Sequence, residues 1–331
     1  MLKYYQILFL NTMILGIFIT ISSYSWFSMW LGLEINLLSI IPLLNSTKNS
    51  FPSESALKYF ITQSMASAVI LFAILYFFNN YEIFKFEFSL IMDSAILTKM
   101  GAAPFHFWFP EIIDGLSWKS SFMILTTQKI APMVLIFYFF EMNYFFFSII
   151  IISSAVGGIM GLNQTSIRKI LAFSSINHIS WLLSSMSISM SLCTLYFSIY
   201  TLIVGSLVAF FHKFHMFHIY QLINYAHSNK MINLSISLTF FSLGGLPPFI
   251  GFLPKWFVIN FLVSNNFILL SLLLILFTLI TLFYHIRMLF SDLPLTFKSP
   301  YFLQFNPTFF LDWLTQLILL DFFDALDFSL I

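Results

Sequence analysis

Apolar runs of about twenty residues follow one another along almost the whole chain, joined by connections too short to hold an extramembrane domain. At ~1.5 Å per residue, each run is long enough to cross a bilayer as a helix. The runs predict helices over 4–23, 25–44, 55–78, 87–109, 119–140, 144–163, 167–189, 192–219, 232–262 and 265–290, with an eleventh over 308–330. The ninth is too long for one straight crossing. Within it, FSLGGLPPFIGFLPKW places Gly244, Gly245, Pro247 and Pro248 where a helix cannot continue, because proline lacks the amide donor and clashes with the preceding turn. Broken backbone survives in a bilayer only against protein or water. A discontinuous helix that lines an ion pathway is therefore expected here.

The break has an echo. Gly101, Ala102, Ala103, Pro104, Phe105 and then Pro110 match Gly245, Leu246, Pro247, Pro248, Phe249 and then Pro254, in the shared pattern G-x-x-P-F-x-x-x-x-P. Lys99 lies just before the first copy and Lys255 just after the second. Two glycine- and proline-interrupted segments in corresponding places point to a transporter built from repeats.

Composition excludes a soluble domain. Of 331 residues, 60% are hydrophobic and only 8% charged, with a mean hydropathy of +0.93, as in an all-α polytopic membrane protein. A net charge of +1 argues against nucleic acid. The single cysteine, Cys193, excludes a disulfide framework, a four-cysteine iron–sulfur site and most zinc sites. Met1-Leu2-Lys3 runs straight into an apolar segment with neither a cleavage site nor a transit peptide, so the first segment is expected to stay as a membrane helix.

Loop charges fix the topology. Lys3, Lys48, Lys58, Lys119, Arg168, Lys169, Lys213, Lys230, Arg287 and Lys298 fall on the side of the N-terminus. The opposite side holds Lys85 with Glu82, Glu87 and Glu141. The positive-inside rule then puts the N-terminus on the negative face, cytoplasm or matrix. Asp312, Gln316, Asp321, Asp324 and Asp327 interrupt the last segment, which either spans with its carboxylates near the far surface, the favoured expectation, or lies along the interface.

Few charges remain for the membrane interior. Glu34 sits near the centre of the second helix, Lys129 near the centre of the fifth, Lys99 just before the first break and Lys255 just after the second. An ionisable group at mid-depth is costly unless paired or hydrated. Burial and a neighbouring carboxylate pull a lysine's proton equilibrium in opposite directions, and a group balanced between them can load and release a proton. Structural ion pairs are the plainer reading, yet three lysines and one carboxylate cannot all pair off. Pro132, three residues after Lys129, is expected to loosen that helix or only kink it.

His178 lies 144 positions after Glu34, the spacing that separates the two broken motifs, which makes it a candidate relay member and Glu34's counterpart, with a satisfied core histidine as the equal alternative. His106, in the first break, is a second candidate. His212, His215 and His218 are spaced so that the third turns away from the first, which reads as a hydrated helix end and not a metal site. Gly157 and Gly161 allow close helix contact. Asp93 receives no role. No phosphate-binding or dinucleotide motif and no bis-histidine helix pair for haem is present, so energy must come from an ion gradient or from partner subunits.

The blocks WLGLEINLLSIIPLL, KMGAAPFHFWFPE, TQKIAP, GLNQTSIRKILAFSSINHISW and SLGGLPPFIGFLPKW resemble the subunit 2 family of mitochondrial NADH dehydrogenase, respiratory complex I, with an arthropod-like flavour. The matching blocks run from roughly residue 20 to 290. The resemblance implies an antiporter-like, eleven-helix subunit of the mitochondrial inner membrane with its N-terminus in the matrix. It implies two inverted five-helix repeats, 1–143 and 144–292, followed by a C-terminal segment, 293–331. It also implies that Glu34, Lys99, Lys129 and Lys255 form one proton channel. NADH, FMN, iron–sulfur clusters and ubiquinone would be handled by other subunits of the complex, with phospholipids and protons as further partners and no cofactor in this chain. The acid-rich tail and Asp93 depart from the family pattern. Two other readings compete: a free-standing cation/proton antiporter, and a passive assembly scaffold whose buried charges are structural.

Overall fold

The computed structural model describes residues 4–45, 50–79, 85–140, 143–222 and 230–290. The predicted tail helix over 308–330 and Lys3, Lys48, Glu82, Glu141 and Lys298 lie outside these residues. Thirteen helices are described: α1 Tyr4–Ser22, α2 Trp26–Leu44, α3 Ser50–Asn79, α4 Lys85–Met100, α5 Trp108–Gly115, α6 Trp118–Leu125, α7 Thr127–Phe139, α8 Tyr144–Gly161, α9 Ile167–Met186, α10 Met190–Phe214, α11 Lys230–Gly244, α12 Phe252–Ser264 and α13 Ile268–Phe290. Among the described residues seven spans are long and apolar enough to cross a membrane: α1, α2, α3, the stretch α6 to α7, α8, α10 and α13.

Both predicted breaks are present, and they close in the same way. Gly101 and Gly245 adopt left-handed backbone, φ 77° and 78°. Beyond them the amide of Ala102 bonds back to the Leu97 carbonyl at 3.1 Å, and that of Leu246 to the Phe241 carbonyl at 3.2 Å. This six-to-one bond with a glycine in the left-handed region is the Schellman termination, which only glycine enters without strain. The chain resumes as α5 and α12, with Pro110 and Pro254 in the first turn, where a missing amide costs nothing.

Neighbour relations also recur. α1 packs on α2, α2 on α3, α3 on both α4 and α5, and α7 on α1 and α4. In the second half α8 packs on α9, α9 on α10, α10 on both α11 and α12, and α13 on α8 and α11. One close contact sets the register. A Cβ on Gly16 would lie 2.9 Å from the Asn36 amide nitrogen and 3.0 Å from the Gly32 carbonyl oxygen; one on Gly157 would lie 2.7 Å from the Asn177 nitrogen and 2.8 Å from the Phe173 oxygen. Each residue of the second set stands 141 positions after its partner in the first: Gly16 and Gly157, Gly32 and Phe173, Asn36 and Asn177. That register pairs Glu34 with Ser175 and His178 with Leu37, so His178 sits three residues, almost one turn, beyond the counterpart of Glu34. The offset is the same on both sides of the first connection, so the three additional positions fall later, between Asn177 and Gly245, which are 68 positions apart where Asn36 and Gly101 are 65 apart.

Two predicted helices end differently from expectation. The segment 119–140 is interrupted at Thr126 (φ −121°, ψ −74°), six residues ahead of Pro132, which stays inside α7. The proline ring clashes with the carbonyl four residues back, on Gln128, and the strain appears just beyond it. α10 stops at His215, in left-handed backbone with φ 51°. From there the chain runs antiparallel to 165–167, through Ile167 N–H to the Phe217 carbonyl and Ile219 N–H to the Thr165 carbonyl.

α9 is buried almost end to end in spite of its polarity. Ser174, Ser175, Ser180, Ser184 and Ser185 each donate to the carbonyl three residues back at 2.6–2.9 Å, so their hydroxyls need no outside partner and the small side chains admit neighbours closely. α9 touches α5, α6, α8, α10, α12 and α13, joining the two halves.

The basic loops share one end of the bundle. Lys58 pairs with Glu54 and Glu111, while Arg168 and Lys169 both pair with Asp114. Arg168 also donates to the Leu116 carbonyl, and Arg287 to that of Leu162.

Gly157→Val forces its side chain against the Asn177 backbone, which cannot retreat without moving α9. Overpacking of this kind costs about 1–3 kcal/mol or more. The expected result is a marked loss of this chain from gently solubilised membranes, read by quantitative mass spectrometry, with Ala155→Val in the same helix as control.

Candidate functional site: a row of buried cations across both halves

The first break delivers α4 into the interior with Lys99 one residue from its end. Lys99 is 7% exposed, and the charge acting on it is that of Glu34 from α2. The two form no ion pair within 4.0 Å, and the Glu34 Oε1 is buried without a hydrogen-bond partner. Beside Lys99 is a polar cavity of about 10 Å³, enclosed by Asn36, Tyr59, Gln63, Lys99, Gln128 and Pro132 among others. That is room for about one water. Asn36 and Gln128 form a reciprocal amide pair at 3.1 and 3.0 Å, and the Tyr59 hydroxyl donates to the same Gln128 oxygen at 3.2 Å. This clasp ties α2, α3 and α7 together one residue from Lys129.

Lys129 is 1% exposed, and its Nζ has no hydrogen-bond partner among the described residues. It lies between two rings, 5.4 Å from the centre of Phe109 and 5.2 Å from that of Tyr200. Phe109 is fixed by the first break, since its ring packs on Gly101. Tyr200 belongs to α10, so at Lys129 the row passes from the first half of the chain to the second. His178 continues it. Its ring lies 5.0 Å from that of Tyr200, and its Nδ1 is 2.8 Å from the Tyr196 hydroxyl. Lys129, Lys255 and His285 are all close enough to act on His178 electrostatically.

Lys255, 5% exposed, uses the second break directly. Its Nζ donates to the Gly244 carbonyl at 2.9 Å and to the Leu243 carbonyl at 3.4 Å, and it lies 6.0 Å from the Trp181 ring. These are carbonyls that a helix leaves without amides at its C-terminus, where the helix dipole also favours a cation. A Cβ on Gly245 would stand 2.9 Å from the Lys255 Nζ, so this glycine serves both the backbone turn and the lysine.

The structure thus brings Lys129, His178 and Lys255 into one continuous site, with Lys99 and Glu34 behind the amide clasp. His106 stays apart. It is buried in the first break against Phe107, and no hydrogen bond or ion pair joins it to a lysine among the described residues. Asp93 is buried on α4, six residues before Lys99. Among the described residues no group of three or more His, Cys, Asp or Glu side chains could hold a metal ion.

Sequence reasoning missed His285, Tyr196, Tyr200 and the amide clasp. For His285 a signal existed. Ser271, Thr278, Thr281 and His285 form a buried polar seam at helical spacing along an otherwise apolar α13.

Comparison with known proteins fits this geometry. The family described as NADH:quinone oxidoreductase/Mrp antiporter, transmembrane, matches residues 23–281. NADH-ubiquinone oxidoreductase chain 2 of Anopheles gambiae is 46% identical over 297 residues, covering 88% of this chain and 87% of the relative. Among solved structures, a subunit of respiratory complex I from Thermus thermophilus with bound aureothin superposes with a TM-score of 0.83 at 20% identity, covering 96% of this chain and 77% of that one. A subunit of the Mrp complex of a Dietzia species gives 0.74 at 14% identity, over 89% and 61%. At these identities the structural likeness speaks for the fold.

Gly245→Ala places a side chain in left-handed backbone, at a cost of roughly 1–2 kcal/mol, and presses it on Lys255. A lowered thermal stability of the assembled protein is expected, measured by thermal-shift of the detergent extract. Gly244→Ala, which meets only Leu282 at 3.5 Å, is expected to be far milder.

Proposed function

Because the chain belongs to the NADH-ubiquinone oxidoreductase chain 2 family, within the wider NADH:quinone oxidoreductase/Mrp antiporter group, we propose that it is a core membrane-arm subunit of the proton-pumping NADH:ubiquinone oxidoreductase of the mitochondrial inner membrane. Its part is translocation. NADH, FMN, iron–sulfur clusters and ubiquinone belong to partner subunits, and this chain carries no redox centre of its own. Segments 1–143 and 144–292 act as two inverted repeats, a reading supported by the matching breaks and neighbour relations. The end of the bundle that gathers Lys58, Arg168, Lys169 and Arg287 faces the matrix, with the N-terminus on that side and lipid around the apolar rim.

The observation that carries the proposal is the burial of Lys99, Lys129 and Lys255 in one row, none of them in an ion pair among the described residues. A buried ammonium without a counter-ion is costly, so the protonation of such a group responds to any charge that moves near it. Glu34 modulates Lys99. Lys129 passes protons between the halves, His178 stands between Lys129 and Lys255, and Lys255 answers to the state of the second break. Charge changes in the redox subunits bias this row, and the row moves protons in response.

Lys129→Met removes the titratable group and keeps its apolar stem. Coupled turnover and NADH-driven proton uptake in proteoliposomes are expected to fall on the order of 10²-fold, the lower end of what a positioned acid–base group contributes, while the complex still assembles. Unchanged coupled turnover and unchanged proton uptake in the assembled variant would overturn the channel. Native gel separation with mass spectrometry tests the assignment itself: co-migration with NADH dehydrogenase activity supports it, and migration alone favours an independent antiporter.

A further inference from the structure

We propose that His285 is a proton-relay residue that links Lys255 to the end of the bundle carrying Arg168, Lys169 and Arg287. The inference rests on the lysine row proposed above and extends it to α13.

His285 is 1% exposed, and neither ring nitrogen has a hydrogen-bond partner among the described residues. A buried polar group left in this state calls for an explanation. The rest of the polar seam on α13 offers a contrast, since Ser271, Thr278 and Thr281 each donate to a carbonyl three residues back. Only the histidine has no claim from its own helix.

Its position is defined by the second break. The His285 ring lies 5.6 Å from that of Phe240, one turn before the Leu243 and Gly244 carbonyls that hold the Lys255 ammonium. Leu282, one turn before His285, meets Gly244 itself. Two residues beyond His285, Arg287 donates to the Leu162 carbonyl at the end of α8, on the basic face. His285 therefore stands between Lys255 and that face. Lys255 of α12 and His178 of α9 are near enough to act on it electrostatically and the Phe240 ring of α11 lies beside it, while Gly157 and Gly161 of α8 meet its neighbour Tyr284. Tyr284, on its own helix, commits its hydroxyl to the Gly157 carbonyl, and Arg287 is committed to Leu162.

Imidazole suits such a place because its two nitrogens can act in sequence. One nitrogen takes a proton from water admitted at the basic face, giving the imidazolium. The other then releases its proton toward the Lys255 amine, leaving the opposite tautomer. Exchange of the tautomer or rotation of the ring resets the group, with one proton gained by the lysine and one lost by the water.

The test compares His285→Gln and His285→Phe in the intact complex, reconstituted in proteoliposomes, with Lys129→Met alongside. Glutamine keeps polar bulk and hydrogen bonding but cannot carry a proton, so a structural role predicts that it restores what phenylalanine loses. A relay role predicts that both variants assemble, both oxidise NADH with an artificial acceptor, and both lose coupled proton uptake on the order of 10²-fold. Normal pumping in His285→Gln overturns the inference, as does failure of both variants to assemble. If Lys129→Met alone loses pumping, the lysine row stands and His285 falls; if all three pump normally, the row falls with it.

Discussion

A carbonyl that loses its helical amide inside a bilayer has no water at hand, and the protein must supply a donor. The chain meets this demand at two breaks and answers differently each time. In the first, the Gln63 side-chain amide donates to the Lys99 carbonyl at 3.5 Å, and the Trp108 indole joins the Gly101 amide on the Thr98 carbonyl at 3.1 Å. In the second, Lys255 donates to Leu243 and Gly244. An indole N–H is a permanent donor, whereas a lysine carries a charge that can come and go. The second break is therefore tied to the protonation of Lys255 in a way that the first is not tied to Trp108. Its backbone has little slack to absorb a change, since a Cβ on Gly251 would collide with the Ser242 carbonyl oxygen.

The frame of the two halves is shared, but the charges are not. Aligned on Gly101 with Gly245 and Pro110 with Pro254, Lys255 corresponds to Glu111 and Lys99 corresponds to Leu243. Glu111 is exposed and paired with Lys58, and Leu243 is an ordinary buried leucine. Both breaks have a lysine nearby, yet one enters along the helix before the gap and the other reaches back from the helix after it. Matching helices, caps and glycine contacts give the architecture. The ionisable groups are fitted to it one at a time, which is why the row is continuous in space and irregular in sequence.

Much of this was legible beforehand because bilayer physics is severe. Runs such as 4–23 and 265–290 admit hardly any other reading, and Gly244, Gly245, Pro247 and Pro248 in an apolar run can only be a break. Lys99, Lys129 and Lys255 stood out because nothing else charged lay near mid-depth. What escaped was set by register and by partners far apart in the chain. Asn36 and Gln128 stand 92 positions apart, and only the folded chain shows them satisfying each other. A spacing of 144 between the breaks gave His178 the wrong counterpart, because the helix contacts upstream follow 141. His285 was hidden by its nearness to Arg287, which makes the end of α13 look interfacial, although the packing of α11 and α8 buries it.

The row also contains its own resistance. Lys129 has ring faces on two sides and no hydrogen bond, and a proton cannot cross a gap of 5 Å without water or movement. The described cavity next to Lys99 holds about one water and is closed toward Lys129 by the Asn36–Gln128 amide pair. Amides hydrogen-bond well but do not take up and release protons near neutral pH, so the clasp blocks transfer while it stabilises the bundle. Under the proposed lysine row, transfer between the halves requires α7, α5 and α10 to part slightly at Phe109 and Tyr200. The helices that would have to part there include α5, whose packing against α9 joins the halves. A static open channel would dissipate any gradient, and a row of buried lysines divided by rings and amides is conductive only when the packing around it is displaced.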